Sequence, residues 1–230
     1  MTINSHTSSM SNHNHITGNQ KPELDNYIEA FSTPEDKVLH DLRRQTHLKI
    51  LRPRMISGPV QGQLLTMLCR MIRPKAVLEI GTFTGYSAIC IARGIDQDAV
   101  LHSIERDDEL ESFIRQYIQK ADLERKIVLH IGDALDIINN LNVEFDLAFI
   151  DGDKREYPAY YEAVMKKMNP GSYILADNIL WNGKVVDADL QNDNYTRGII
   201  NFNEMVKNDP RTEQVILPLR DGLMLIRVKE

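Results

Sequence analysis

Residues 76–87, with the sequence AVLEIGTFTGYS, decide the fold of this chain. A mostly apolar run over residues 76–80 ends at Gly81, and Gly85 precedes an apolar stretch with helical spacing. Glycine after a strand and again before a helix lets the backbone approach a ligand closely, at the end of the sheet where open α/β folds bind. The glycine spacing is G-x-x-x-G, whereas loops that hold a pyrophosphate have G-x-G-x-x-G. We therefore expect a nucleoside ligand without a diphosphate.

The same pattern continues toward the C-terminus, where short apolar runs alternate with amphipathic segments. The sequence predicts five strands, at residues 76–80, 99–104, 126–131, 145–150 and 172–176, and four helices, at residues 86–93, 107–121, 134–141 and 157–168. Strands that are separated by helices of this length form right-handed βαβ units. The alternation therefore predicts a parallel, doubly wound α/β sheet with helices on both faces.

The last two apolar runs lie too close together for another crossover. EQVILPL (213–219) and GLMLIRV (222–228) are separated only by Arg220 and Asp221. Antiparallel strands can be joined by so short a turn, whereas parallel strands need a long connection. We expect a C-terminal antiparallel hairpin at the edge of the sheet.

The N-terminal third has a different pattern. Residues 21–73 show apolar residues at three-to-four spacing, which predicts helices that cover the sheet. Thr33 and Pro34 are typical of an N-cap and a first helical position, so one helix should begin there. Residues 1–20 are rich in Ser, Asn, Thr and His, and they predict a disordered tail. The rest of the chain, residues 21–230, should be a single domain.

Composition limits the possible functions. The 230 residues carry 27 Lys and Arg against 33 Asp and Glu, a formal net charge of −6, and 42% are hydrophobic. This composition indicates a globular domain and disfavours a general nucleic-acid binder. No apolar run approaches the ~18 residues of a membrane span, and no secretory leader pattern follows Met1, so we expect a cytoplasmic protein with no membrane partner. Cys69 and Cys90 lie in apolar helical stretches and should be reduced core residues.

Two acids stand at the ends of the second and third predicted strands. Glu105 lies 24 residues beyond Gly81, where a carboxylate can accept both hydroxyls of a ribose. The alternative is an acid that opens the following helix. Asp133 can face an adenine amino group, and it can equally well cap the helix that follows it.

Three oxygen-bearing side chains follow the fourth and fifth predicted strands. Asp151 comes after the fourth strand, and Asp177 and Asn178 come after the fifth. Because adjacent parallel strands lie ~4.8 Å apart, these side chains can reach one ion. Two carboxylates and an amide oxygen are hard ligands that suit Mg²⁺, Mn²⁺ or Ca²⁺. The alternative is that they cap helices or turns, since acids at strand ends are common in such folds.

Together these motifs resemble one family. The stretches VLEIGTFTGYSA, SIERDDEL, FDLAFIDGDKREY, PGSYILADNILWNGKV and LPLRDGLMLIR are similar, in order and spacing, to those of the divalent-cation-dependent class I O-methyltransferases. These enzymes use S-adenosylmethionine and include catechol and caffeoyl-CoA O-methyltransferases. The resemblance covers roughly residues 35–229, and it implies a Rossmann-like methyltransferase sheet.

The resemblance implies a role for each matching residue. It assigns to the cofactor site Ser57, Glu79, Gly81, Ser87, Glu105, Asp133, Ala134, Asp151 and Asp153. Within that site it implies that Glu105 binds the ribose and that Asp133 and Ala134 lie near the adenine. It implies that Asp151, Asp177 and Asn178 are metal ligands. Lys154 is implied as the general base, and Trp181 as an aromatic wall of the acceptor site.

The chemistry of methyl transfer independently suits Lys154. Transfer from a sulfonium to a phenol is an in-line displacement that needs an ionised acceptor, yet a phenol with a pKa of about 10 is mostly protonated at pH 7. A divalent ion bound to two vicinal oxygens can stabilise the anion, while Lys154, close after a strand-end acid, can remove the proton. The alternative is a surface lysine that pairs with Asp153 or Glu156.

The sequence indicates the residues around the acceptor less specifically. Residues 21–54 and the loop over residues 180–196 should flank it. A small basic cluster comprises His47, Lys49, Arg52 and Arg54, and it could meet an acidic tail or a phosphate, or form a solvated helix face. Three tyrosines, Tyr157, Tyr160 and Tyr161, either line the site or pack in the core.

The sequence therefore predicts a metal- and S-adenosylmethionine-dependent O-methyltransferase for a small phenolic acceptor of the catechol or caffeoyl type. The alternative with the same chemistry is methylation of a modified uridine hydroxyl in tRNA, against which the net charge of −6 counts modestly. A non-catalytic dinucleotide-binding module is disfavoured by the missing G-x-G-x-x-G spacing. By the same resemblance, the N-terminal helices imply a homodimer.

Overall fold

Seven strands form one sheet in the computed structural model, which describes residues 22–187 and 193–230. The strands are β1 Ala76–Ile80, β2 Val100–Glu105, β3 Ile127–Ile131, β4 Phe145–Ile150, β5 Met168–Asp177, β6 Thr212–Leu217 and β7 Leu223–Val228. Their order in the sheet is β3-β2-β1-β4-β5-β7-β6. Strands β1 to β5 pair in parallel, and β7 pairs antiparallel with both β5 and β6. The predicted doubly wound sheet with a C-terminal hairpin is confirmed.

Helices precede the sheet and connect its strands. They are α1 Pro22–Ala30, α2 Lys37–Lys49, α3 Pro59–Ile72, α4 Tyr86–Gly94, α5 Glu111–Lys120, α6 Ala134–Asn140, α7 Tyr157–Met165 and α8 Asn194–Asn208. Short 3₁₀ turns at Pro53–Met55, Lys154–Glu156 and Trp181–Val186 lie at the carboxyl end of the sheet or next to it.

The helices pack on the sheet in two layers because successive strand residues point to opposite faces. Along β4, Leu147 and Phe149 belong to the core that includes residues of α2 to α5. Ala148 and Ile150, between and after them, belong to the core that includes residues of α6, α7 and α8. Both faces of the central strands are therefore apolar, as expected for a parallel sheet.

Four predicted boundaries are wrong. The second helix begins at Lys37 rather than Pro34, because the Asp36 side chain caps it by accepting from the Leu39 N–H at 2.9 Å. The segment predicted as one helix over residues 107–121 is a 3₁₀ turn, Asp108–Leu110, followed by α5. The helix predicted over residues 157–168 ends at Met165, and β5 begins earlier than predicted because Met168 pairs with Phe145 before an irregularity in the register.

The cysteine prediction is confirmed, since Cys69 and Cys90 are both buried free thiols. Burial raises the pKa of the Cys69 thiol to about 12, which makes it unreactive at neutral pH. The predicted tail over residues 1–20 lies outside the described residues. Among the helices of residues 22–187 and 193–230, none has the length and apolarity that crossing a bilayer requires.

Candidate active site

A cavity of about 800 Å³ opens at the carboxyl ends of the parallel strands. Nine of the predicted site residues line it: Gly81, Glu105, Ala134, Asp151, Asp153, Lys154, Asp177, Asn178 and Trp181. The segment that contains the Pro53–Met55 turn contributes to one wall, and Tyr160 and Tyr195 contribute to others. The volume is within the usual range for a site that binds a small molecule.

Gly81 brings the ends of β1 and β4 together. Its φ of +98° lies in the region that favours glycine, and a Cβ added there would overlap with the backbone carbonyl of Asp151. A side chain at this position would therefore push the Asp151 loop out of place and narrow the cavity floor.

We expect Gly81→Ala to lower the free energy of unfolding by about 2–4 kcal/mol, because backbone strain and overpacking add. Urea denaturation measures this loss. Gly171→Ala is the matched control, since Gly171 also has a positive φ, of +80°, but an added Cβ meets nothing within 4 Å. Equal losses in the two variants would contradict the close approach at Gly81.

Glu105 ends β2 as a carboxylate whose orientation is fixed by the backbone. Its Oε2 accepts from the Phe83 N–H at 2.6 Å, and its Oε1 accepts from the Asp107 N–H at 2.9 Å. Burial raises the pKa of this carboxyl, and the two backbone donors act in the opposite direction. Each oxygen keeps lone-pair capacity toward the cavity, so the group can accept further hydrogen bonds from a ligand.

Four predicted cofactor residues are not among those that line the cavity. Ser57 and Ser87 are buried, and Glu79 is completely buried, with its Oε2 accepting from the Ser103 hydroxyl. Burial raises the pKa of Glu79 to about 7, and its Oε1 has no hydrogen-bond partner within residues 22–187 and 193–230. Asp133 caps α6 by accepting from the Leu135 N–H at 3.0 Å, which is the second of its two predicted roles.

Lys154 lies against Asp151 at the cavity floor. Its side chain is 9% exposed, and its Nζ donates to Asp151 Oδ1 at 2.7 Å and to the Tyr157 hydroxyl at 2.6 Å. Burial raises the pKa of the Asp151 carboxyl to about 6, while the Lys154 ammonium acts in the opposite direction. Lys154 is thus a buried amine in the cavity and not the surface lysine of the alternative interpretation.

Tyr157 holds Lys154 in place. It is fully buried, and its hydroxyl donates to the backbone carbonyl oxygens of Asp177, at 2.9 Å, and Ile150, at 3.1 Å. Burial keeps the pKa of this phenol well above its usual value, so it remains a neutral donor. Of the three tyrosines, Tyr160 lines the cavity, while Tyr161 packs in the core and donates to Asp209 Oδ2 at 3.0 Å.

Asp151, Asp177 and Asn178 share the floor of this cavity, as their strand-end positions predict. Asp177 is 2% exposed, and its Oδ1 accepts from the Asn178 N–H at 2.8 Å. The partly buried Asp151 carboxylate, the buried Asp177 carboxylate and the Asn178 amide are hard oxygen donors, so the set fits a divalent cation. Over the described ranges, no group of three or more His, Cys, Asp or Glu side chains is arranged to hold a metal ion.

Two other predicted residues that line the cavity, Asp153 and Trp181, contact neighbouring side chains. Asp153 pairs with Arg155, whose side-chain hydrogen bonds lower the pKa of this carboxyl. The ring of Trp181 stacks on that of Tyr195 at a centroid distance of 6.3 Å. Of the basic cluster, Arg52 and Arg54 line the cavity.

Sequence reasoning missed Gln61 and Arg220 as site residues. Arg220 lines the cavity, and Gln61 is a buried amide on α3 in contact with Asp177. The available signal was a polar residue within an otherwise apolar helix face, because Gln61 lies one helical turn before the buried Leu65. Arg220 could be predicted only as a turn residue.

Comparisons with known proteins agree on one family. A family model described as O-methyltransferase matches residues 29–229. A caffeoyl-CoA O-methyltransferase of Stellaria longipes is 30% identical over 220 residues, which cover 90% of this chain and 91% of that protein. A catechol O-methyltransferase of Niastella koreensis is 32% identical over 186 residues, covering 77% and 84%. The crystal structure of an O-methyltransferase from Bacillus cereus in complex with SAH matches with a TM-score of 0.84 at 31% identity, covering 90% of this chain and 97% of that one.

Proposed function

The chain belongs to the O-methyltransferase family, and from that premise we propose that it transfers the methyl group of S-adenosylmethionine to a phenolic hydroxyl of a catechol-type or caffeoyl-type acceptor. The observation that carries this proposal is the buried Lys154 amine beside Asp151, at the floor of a cavity that Glu105 and Asp177 also line. The residues that we propose as proton acceptor, ribose ligand and cation ligand thus line one cavity.

The cofactor end of the cavity is proposed to lie along β1 and β2. S-adenosylmethionine supplies an electrophilic methyl group, which the acceptor oxygen takes in an in-line displacement. Gly81 gives the ligand access to bare backbone, and Glu105 would accept from the ribose hydroxyls with its remaining lone pairs. Ala134 would lie near the adenine. Further roles around the methionine and nucleoside portions are proposed for Ser57, Glu79, Ser87, Asp133 and Asp153.

We assign the cation site to Asp151, Asp177 and Asn178, because these residues line the cavity together and two of them are carboxylates. A bound Mg²⁺, Mn²⁺ or Ca²⁺ would act as a Lewis acid that stabilises an ionised phenol and fixes its orientation. In its neutral amine form, Lys154 would take the phenolic proton and become an ammonium beside Asp151. Tyr157 and Asp151 orient its Nζ, so the proton acceptor is already in place when the acceptor binds.

The acceptor side is proposed to combine an aromatic wall with positive charge. Trp181 and Tyr195 offer stacked rings to a flat acceptor. Arg52 and Arg54 line the same cavity and would attract an acidic group on the acceptor, such as a carboxylate or a phosphate. This arrangement favours a phenol that carries an anionic tail.

An acceptor panel tests the proposed function. Purified protein with Mg²⁺ and labelled S-adenosylmethionine is offered catechol, caffeate, caffeoyl thioesters and total tRNA, and the products are identified by mass spectrometry. We expect transfer to the vicinal diols, with kcat/KM up to roughly 10-fold higher for acidic than for neutral acceptors, because two exposed cations contribute modestly. A panel without any methylated phenol would overturn the proposal, and a labelled uridine in tRNA would favour the alternative acceptor.

The N-terminal helices are proposed to form a homodimer interface. We define the N-terminal apolar patch as Tyr27, Phe31, Met67 and Met71, on or next to α1 and α3, which pack together. Tyr27 and Phe31 stack at 4.3 Å, and Phe31 and Met71 are each 75% exposed. Exposed apolar groups of this size favour a protein partner, and a second copy would bury them symmetrically.

Light scattering is expected to give twice the chain mass of 26.4 kDa for the unmodified protein. Met71→Glu should give the single mass, because an unpaired charge in an apolar interface is costly. Val128→Glu, at an exposed apolar position on β3 outside the patch, is the control and should leave the mass unchanged. A monomeric unmodified protein would remove the dimer proposal.

A further inference from the structure

Two polar side chains connect the start of α3 to the proposed cation site. Gln61 is 1% exposed, and its Nε2 donates to Asp177 Oδ2 at 2.7 Å. Arg220, in the turn between β6 and β7, donates from Nη1 to Gln61 Oε1 at 2.7 Å. The three groups form a continuous chain of hydrogen bonds from Arg220 through Gln61 to Asp177.

The direction of this chain is fixed by the chemistry of arginine. A glutamine amide can present either its oxygen or its NH₂ group to a neighbour, but a guanidinium has donors only. Because Arg220 can only donate, the Gln61 oxygen faces Arg220 and the NH₂ group faces Asp177. Arg220 is in turn held by the backbone carbonyls of Ile56 and Ser57, to which its two terminal nitrogens donate.

We propose that Gln61 is a positioning residue that fixes the Asp177 carboxylate for the cation, and that Arg220 acts through Gln61 by setting the direction of its amide. This inference rests on the proposed function, because it needs a cation at Asp177. One oxygen of Asp177 accepts from Gln61 and the other from the Asn178 N–H at 2.8 Å. The carboxylate plane is therefore held on both sides, and lone pairs remain for a metal.

The test measures cation binding without turnover. Mn²⁺ is titrated into the full chain in the absence of cofactor and acceptor, and free Mn²⁺ is followed by electron paramagnetic resonance. Gln61→Met keeps the length of the side chain but loses the donor, so we expect Mn²⁺ to bind roughly 10- to 100-fold more weakly. Gln63→Met is the matched control, since residues two apart on a helix do not share a face, and it should bind like the unmodified protein.

Arg220→Lys separates positioning from a general loss of stability. It keeps the positive charge but loses the planar fork, so we expect weaker Mn²⁺ binding than in the unmodified protein, with a smaller loss than for Gln61→Met. The double variant should bind Mn²⁺ like Gln61→Met alone, because lysine keeps the positive charge of Arg220 and the part that is lost acts through Gln61. If the two substitutions damaged the structure independently, their losses of Mn²⁺ affinity would add in the double variant. In turnover, both single variants should require more Mn²⁺ while approaching the unmodified kcat at saturation.

The outcomes separate this inference from the proposed function. If the unmodified protein binds no Mn²⁺, the cation site itself is wrong and the inference is overturned with it. If the unmodified protein binds Mn²⁺ and Gln61→Met binds it equally well, the cation site stands and the positioning role is wrong. Additive losses in the double variant would overturn the part assigned to Arg220.

Discussion

Replacing Lys154 by methionine is expected to slow methyl transfer by roughly 10²- to 10⁴-fold, the usual effect of removing a general base. Methionine has a similar length and no group that can take a proton, so the acceptor would have to ionise without help. Binding of S-adenosylmethionine should change little, because the proposed ribose contact is Glu105, which ends a different strand, β2. Single-turnover transfer to a catechol acceptor measures the rate, and calorimetry measures cofactor binding.

The Lys154→Met variant also leaves the partly buried Asp151 carboxylate without its ion-pair partner. Some loss of stability is therefore expected, and the rates must be compared well below the melting temperature of the variant. Lys166→Met is the matched control, because Lys166 is an exposed lysine that follows α7. A Lys154→Met protein that is folded and transfers methyl groups at the unmodified rate would show that another group takes the proton.

The sheet and the position of the cavity could be predicted because they depend on local patterns. Strands β1 to β5 are short apolar runs, and Gly81 marks where the first one ends, so the carboxyl end of the sheet follows from the order of the chain. Asp151, Asp177 and Asn178 line one cavity there because parallel neighbouring strands bring their ends to the same edge of the sheet. The local sequence was therefore sufficient to predict that these residues lie at the carboxyl end of the sheet.

The contacts of Gln61 could not be predicted, because they depend on how distant segments pack. Gln61 and its partner Asp177 are 116 residues apart in the chain, and Arg220 is 159 residues from Gln61. No pattern within α3 indicates which element its buried amide will face. The predicted start of α2 was wrong for a different reason. Both Thr33 and Asp36 are good N-caps, and tertiary contacts decide between them. Glu35 accepts from Tyr86 and Arg43, which holds it outside the helix.

Removing the charge of Asp177 has the second large effect that we expect. Asp177→Asn keeps the shape of the side chain but takes one of two carboxylates from the proposed cation site, so methyl transfer at a fixed Mg²⁺ concentration should fall by at least roughly 100-fold. The change also places an NH₂ group where one carboxylate oxygen accepts from Gln61 or from the Asn178 N–H. A stability loss of about 1–3 kcal/mol is expected from that mismatch, and urea denaturation measures it separately.

Two further measurements attribute the Asp177→Asn loss to the cation. A chelator should abolish transfer in the unmodified protein and added Mg²⁺ should restore it, whereas the variant should recover only in part at high Mg²⁺, because weaker binding is offset by mass action. Asp122→Asn is the control, since Asp122 is exposed and has a positive φ, of 58°, that asparagine tolerates. Full turnover of Asp177→Asn in the presence of chelator would mean that Lys154 and the cavity suffice, and the cation would have no part in the reaction.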